Sequence, residues 1–211
     1  MKKVLTQSEL NRLTQVVGEV ERSTSGELRL MIVGRSTPIG HVFPLATFAL
    51  MSLSLVALWS MRYEMVLDFK WYLAPMILAC SVLAGWLLAR LTFVQRWLTS
   101  DEDMTSEVWR RAEIEFHHEG LDGTTGATGV LIFVSLMEHQ AVVLADKAIA
   151  VKLPREVWSD VVQLVIEGAR TGKWASKLEE AVRLCGKLLN AHFPIKAGDK
   201  NELPNHVIVK P

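Results

Sequence analysis

The sequence predicts an α/β protein: a three-layer α/β/α sandwich with a small mixed sheet, interrupted by a transmembrane helical hairpin. Three observations carry this reading. Two uncharged apolar runs, residues 42–61 and 71–89, stand close together in a chain that is otherwise charged and amphipathic. Strand-length apolar segments, ELRLMIV at 27–33 and VLIFVSL at 130–136, lie on either side of that pair. Helical patterns precede and follow the strands, as in a sheet covered on both faces.

The first helix opens on Thr6-Gln7-Ser8-Glu9, a capping box in which Thr6 accepts from the Glu9 N–H and Glu9 reaches back. Leu5 and Leu10 occupy the staple positions around it. Leu10, Leu13, Val17 and Val20 fall at helical spacing and predict one buried stripe. Ser23-Thr24-Ser25-Gly26 ends the helix. In the strand that follows, Leu28, Leu30 and Ile32 alternate with their neighbours. Residues 34–38 break it.

Each apolar run is about 20 residues, enough at ~1.5 Å per residue to cross a hydrocarbon core of roughly 30 Å. Neither contains an ionisable residue or a polar edge, whereas a buried helix of a soluble core usually has one. Trp59 and Tyr63 fall at one lip, Phe69, Trp71 and Tyr72 at the other, and Trp86 and Trp97 towards the far side. Two crossings return the chain to its starting side. Residues 1–41 and 90–195 are therefore expected to form one discontinuous domain, with 42–89 as its anchor and 196–211 as a tail. Arg29, Arg35, Arg90, Arg96, Arg110 and Arg111 flank the pair, against Arg62 and Lys70 in the short loop. This bias places both termini in the cytoplasm. Residues 1–25 are charged and amphipathic and carry no export signal, so a bacterial inner membrane is expected. Cys80 falls within a span and Cys185 in the remainder, so the two are not expected to pair.

After the hairpin, Ser100 or Asp101 caps a helix running to about Glu119, with Val108, Trp109, Ala112 and Phe116 on one side. Residues 120–129 read as a loop by composition. Residues 130–136 predict a central strand buried on both faces, 137–140 a turn and 141–145 a partner strand. Pro154 suits the first turn of a helix whose buried face is Trp158, Val161, Val162, Val165 and Ile166, with Gly172 as its stop. Trp174, Leu178, Ala181, Cys185 and Leu188 define a last amphipathic helix closed by Pro194. In the tail, Val207-Ile208-Val209 can extend a sheet edge.

Lysines and arginines number 23, equal to the acids, which excludes the basic excess of a nucleic-acid binder. The glycines of 123–129 do not form a phosphate-binding loop, because the lysine is missing and the loop enters a strand. Asp122, the hydroxyls of Thr124, Thr125 and Thr128, and Asp146 can converge at one end of the sheet. There Asp122 and Asp146 are the weak metal candidates, for a hard divalent cation such as calcium or magnesium. The bland alternative has Asp122 starting a turn and Asp146 capping the next segment. His117 and His118 diverge by about 100° on a helix and need further ligands to share an ion, with Glu115 and Glu119 nearest. His139 falls in a tight turn. No nucleophilic triad can be assembled, so the catalytic residues are unknown, and Cys185 lies on a core face. Two apolar helices without charge suit an anchor, with a partner-binding role open to Gly85 and nearby small residues.

On these segments the chain resembles the TPM domain family, in a bacterial subgroup with a two-span insertion after the first strand. The resemblance rests on ERSTSGELRLMIV, on GVLIFVSLMEHQAVVLADKAIAVKL and on the helix pair from REVWSDVV to NAHFP, covering roughly residues 5–33 and 100–194. It implies a compact α/β/α domain of a kind described as acid phosphatases, divalent-cation binders or accessory factors of membrane complexes. Two positions depart from the family pattern. Thr128 stands where many members have Asn or Asp, and Ala145-Asp146-Lys147-Ala148 replaces a glycine-rich turn. The expected function is a membrane-anchored, non-enzymatic interaction or accessory module for a membrane or envelope complex, with no certain cofactor. The alternative is a divalent-cation-dependent acid phosphatase. The expected partners are the lipid bilayer and a membrane protein, with a LemA-type neighbour brought in by the resemblance alone.

Overall fold

A computed structural model of the chain describes residues 5–61, 73–195 and 201–210. The hairpin loop read at 62–70, together with Trp71 and Tyr72, lies outside the described residues. The chain divides into two compact units, Met1–Ser36 with Thr105–Pro211, and Thr37–Met104. The boundaries expected from sequence are residues 41 and 90. The observed boundaries add the short helix α4 (Thr92–Trp97) to the second unit.

In the first unit, α1 (Gln7–Glu21) begins on the expected capping box. Thr6 Oγ1 accepts from the Glu9 N–H at 3.3 Å, and Glu9 Oε2 accepts from the Thr6 N–H at 2.7 Å. Its buried stripe is Leu13, Val16, Val17 and Val20, with Leu10 at the margin. The sheet contains β1 (Glu27–Val33), β2 (Gly129–Ser135), β3 (Gln140–Ala145) and β4 (Ile208–Lys210), in the order β3-β2-β1-β4. β1 runs parallel to β2 and β4, and β2 runs antiparallel to β3, so the sheet is mixed. The tail therefore closes an edge of the sheet through β4.

Every residue of β1 and β2 is buried. For β1 this differs from a simple alternating pattern, which describes a strand with one wet face. The reason is that helices cover both sides. Leu28, Leu30, Ile32, Val130, Ile132 and Val134 pack with α1, α7 (Ser159–Thr171) and α8 (Trp174–His192). On the other face Met31, Val33, Leu131 and Phe133 meet Val108, Ala112 and Phe116 of α5 (Asp101–His118).

Two local readings change. A short helix, α6 (Lys147–Lys152), follows β3 where none is expected from the sequence, and a 3-10 turn at Arg155–Trp158 separates Pro154 from α7. Gly172, at φ 70°, stops α7 as expected, since a left-handed position costs glycine little. The end of the first segment is tied down by a buried polar chain. The Ser36 N–H donates to Glu138 Oε1 at 2.9 Å, and Ser135 Oγ donates to Glu138 Oε2 at 2.5 Å. Glu138 is 2% exposed, so these bonds hold a carboxylate that water does not reach.

In the second unit α2 (Val42–Met61) and α3 (Leu73–Leu88) pack against one another. Thr47 and Ser54, seven residues apart, share one face of α2. Ser54 Oγ lies 3.1 Å from Ser81 Oγ, and a Cβ at Gly85 would collide with Thr47 backbone and side chain. The small residues of α3 are thus occupied within the hairpin, and Gly85 is not the external docking point read from sequence. Among the described residues only α2 is long and apolar enough to cross a membrane, over Val42–Ser60. Of the second span read at 71–89 the structure describes the helix Leu73–Leu88, with a turn at Ala89 and Arg90, and these described residues do not by themselves make a second helix of spanning length.

Candidate functional site

One end of the sheet collects the N-termini of β1 and β2 and the C-terminus of β3. Gly129 opens β2 there, and a Cβ at this position would run into the Leu121 carbonyl, so the 120–128 loop folds tightly over the strand end. The loop's threonine hydroxyls are engaged within the protein. Thr124 Oγ1 accepts from the Thr128 N–H at 3.0 Å, Thr128 Oγ1 donates to the Ser25 carbonyl at 2.8 Å, and Thr125 Oγ1 donates to Glu202 Oε2 at 3.0 Å.

Asp122 and Asp146, the two carboxylates singled out from sequence, have separate tasks here. Asp122 Oδ2 is 2.8 Å from His117 Nδ1, and that hydrogen bond holds its carboxyl below the usual range. Asp146 caps α6, its Oδ1 accepting from the Lys147 N–H at 2.6 Å. Its Oδ2 is buried without a hydrogen-bond partner. A calcium or magnesium ion needs six or more oxygens. Asp146 Oδ2 is unpaired, but Asp122 Oδ2 and the threonine hydroxyls are already engaged, so the set falls short of such a shell.

A second cluster sits at the end of α5. Glu115, His118 and Glu119 hold ligand-type atoms within 4.8 Å of one another. His117 turns away to Asp122, as the 100° divergence of neighbours requires. The cluster already contains cations. Lys210 Nζ lies 2.5 Å from Glu115 Oε2 and 3.4 Å from Glu119 Oε1, while Arg111 Nε takes Glu115 Oε1 at 3.0 Å. Burial raises the Glu115 carboxyl, but the Lys210 and Arg111 bonds outweigh it and leave it below the ordinary value. Desolvation lowers the Lys210 ammonium, and its two carboxylates reverse that and raise it. This is a salt-bridge network that fastens β4 to α5. The sequence reading named Glu115 and both histidines and missed Lys210. No local spacing reveals a partner that arrives through the parallel β1–β4 pairing.

Cys185 is fully enclosed in the core, where burial pushes its thiol far above the reactive range.

The surface that stands apart is the hairpin. Phe48 is 71% exposed, Leu53 67%, Val56 65% and Leu83 58%, and Trp59 and Trp86 are open as well. The Arg90 guanidinium lies 3.6 Å from the Trp86 ring centroid, a pairing suited to a polar–apolar boundary. Isolated exposed apolar residues are ordinary, but contiguous apolar surface on two packed helices marks a place where something other than water belongs.

No protein-family model and no curated protein matches the chain. Among solved structures it is similar to the NMR structure of BA42 protein from the psychrophilic bacterium Bizionia argentinensis, at 19% identity and a TM-score of 0.61. That match covers 99% of this chain and 97% of the other. At such identity the likeness concerns the fold alone.

Proposed function

We propose that the chain is a membrane-anchored domain of the TPM type, a non-enzymatic module offering its α/β unit to a partner in the membrane or envelope. The observation that carries this reading is the hairpin: α2 has 20 residues without a charge, and its large side chains outside the α3 contact are exposed. In water that surface is penalised at roughly 25 cal/mol per Å², and in hydrocarbon the penalty vanishes. In this reading α2 spans the bilayer and α3 packs beside it. Arginines flanking the hairpin favour cytoplasmic termini in a bacterial inner membrane. The phosphatase alternative loses support because the carboxylates and hydroxyls near the 120–128 loop are mostly engaged. Efficient hydrolysis needs preorganised groups aimed at a substrate.

Topology reporters test the reading. Fusions at Met1 and Pro211 are expected to report cytoplasm, and one inserted near Glu64 to report the far side. Recovery of the full chain in the aqueous fraction after cell lysis and high-speed centrifugation would remove the membrane assignment. For the enzymatic alternative, phosphomonoester turnover that disappears in both Asp122→Ala and Asp146→Ala and returns with one divalent ion would replace the module reading.

A further inference from the structure

Within the second unit, the short helix α4 is turned inside out. Gln95 is buried, and its Nε2 donates to the Ala89 carbonyl at 2.8 Å. Thr99, two residues past the helix, is buried as well. Its Oγ1 donates to the Gln95 carbonyl at 2.8 Å and lies 3.3 Å from His41 Nε2. Successive residues advance about 100° around a helix, so Phe93 and Trp97 share the side that faces away from Gln95. Those two rings are 79% and 77% exposed, and Leu91, which precedes the helix, is exposed too. A short helix on a water-soluble surface does the reverse, burying its rings and solvating its amide.

The exposed side chains on either side of α4 change character in a fixed order along the chain. Leu83, Trp86 and Leu87 of α3 come first. Arg90 follows, its guanidinium over the Trp86 ring. Phe93 and Trp97 come next, and then Asp101, Glu102 and Asp103, all exposed at the head of α5. Apolar, then aromatic with arginine, then acidic is the succession met in passing from hydrocarbon through headgroups to water. We propose that α4 is an interfacial helix, lying in the headgroup layer of a phospholipid bilayer with Phe93 and Trp97 inserted towards the acyl chains.

This inference rests on the membrane reading of the hairpin and adds to it a second kind of lipid contact. Tryptophan suits the position because its ring is apolar and its N–H finds acceptors among headgroups. Arginine suits it because its stem lies along apolar surface while its charge stays wet. The charged groups between residues 90 and 103 are Arg90 and Arg96 against Asp101, Glu102 and Asp103. They leave no cationic excess, so the contact is carried by the rings and does not call for an anionic lipid. Six residues are too few to hold a membrane alone. Joined to α3 through Ala89 and Arg90, however, the helix is already at the bilayer and needs no separate association step.

Spin-label depth measurements on the full chain in phosphatidylcholine nanodiscs test this. Phe93→Cys, Trp97→Cys, Leu53→Cys and Glu102→Cys are made singly on a Cys80→Ser background and labelled with a nitroxide, Cys185 being enclosed in the core. All four positions are exposed, so the labels replace no buried contact, and thermal unfolding checks that each variant folds. Collisions with oxygen and with a water-soluble nickel chelate then report depth. Labels at 93 and 97 are expected roughly 5–10 Å into the headgroup–acyl boundary, deeper than the label at 102 and shallower than the one at 53. Nickel access at 93 and 97 equal to that at 102, with 53 in hydrocarbon, overturns this inference and leaves the anchor standing. Shielding of 93 and 97 from both reagents overturns it in favour of a protein cover. Nickel access at 53 as well removes the membrane reading itself, and the interfacial helix with it.

Discussion

The two units of this chain use apolar side chains in opposite ways. In the first, Leu30, Ile132, Phe133 and Val161 are at most 1% exposed. In the second, Phe48, Leu53 and Leu83 are exposed by more than half, and it is Thr47, Ser54, Ser81 and Gly85 that meet inside. The difference is the one expected if, as proposed, the second unit sits in lipid. Water drives large residues inward, whereas in lipid there is nothing to gain from hiding them and small residues let the helices approach.

Truncation in the first unit carries the largest expected effect. Phe133→Ala empties a fully buried site between β2 and α5, and should cost about 3–5 kcal/mol in chemical denaturation. The matching change in the hairpin, Phe48→Ala, should leave the first unit's unfolding unaltered. If both variants lose comparable stability, the contrast between the units is wrong.

A charge in the hairpin comes next. Leu53→Arg, near the middle of α2, should disfavour membrane insertion by about 2.5–3.5 kcal/mol, read as a loss of membrane-fraction protein in a reporter assay. An unchanged distribution would indicate that this surface faces water or protein instead of lipid.

The first unit also has a weak point, and pH sharpens it. Glu21 is raised from 4.5 to about 7, mainly by burial, so the native state keeps a proton that the unfolded chain releases above about pH 4.5. The native state therefore binds more protons in that interval. Stability is greatest below pH 4.5 and falls as pH rises to 7 and beyond, by an amount on the order of 2 kcal/mol from this group. Glu21→Gln should flatten the slope between pH 5 and 7 and melt higher than the parent at pH 8. A parallel pH profile for the two would show that Glu21 ionises freely.

The smallest effect concerns the capping box. Thr6→Ala removes the acceptor for the Glu9 N–H and should cost about 1 kcal/mol, visible as a modest drop in the melting temperature.

Much of the fold was legible because it is written in local chemistry. The Thr6–Glu9 box, the strands at 27–33 and 129–135, the stop at Gly172 and the amphipathic stripe of α8 each depend on residues a few positions apart. α6 escaped because six residues after a strand carry too little periodicity to register. At the candidate sites, the acids were visible and their partners were not. Asp122 meets His117 only because the chain turns back at Gly120 after α5, and Glu115 and Lys210 are 95 residues apart in sequence.

What the sequence determined by itself is the division of labour. One uncharged helix-length segment stands apart from the amphipathic ones whatever the arrangement in space, because that contrast is a matter of composition. Tertiary structure alone decided which buried charges are answered. β4 brings Lys210 to Glu115 and leaves the second oxygens of Glu21 and Glu27 unmet, since satisfaction of a buried acceptor depends on angstrom-scale placement of donors from distant segments.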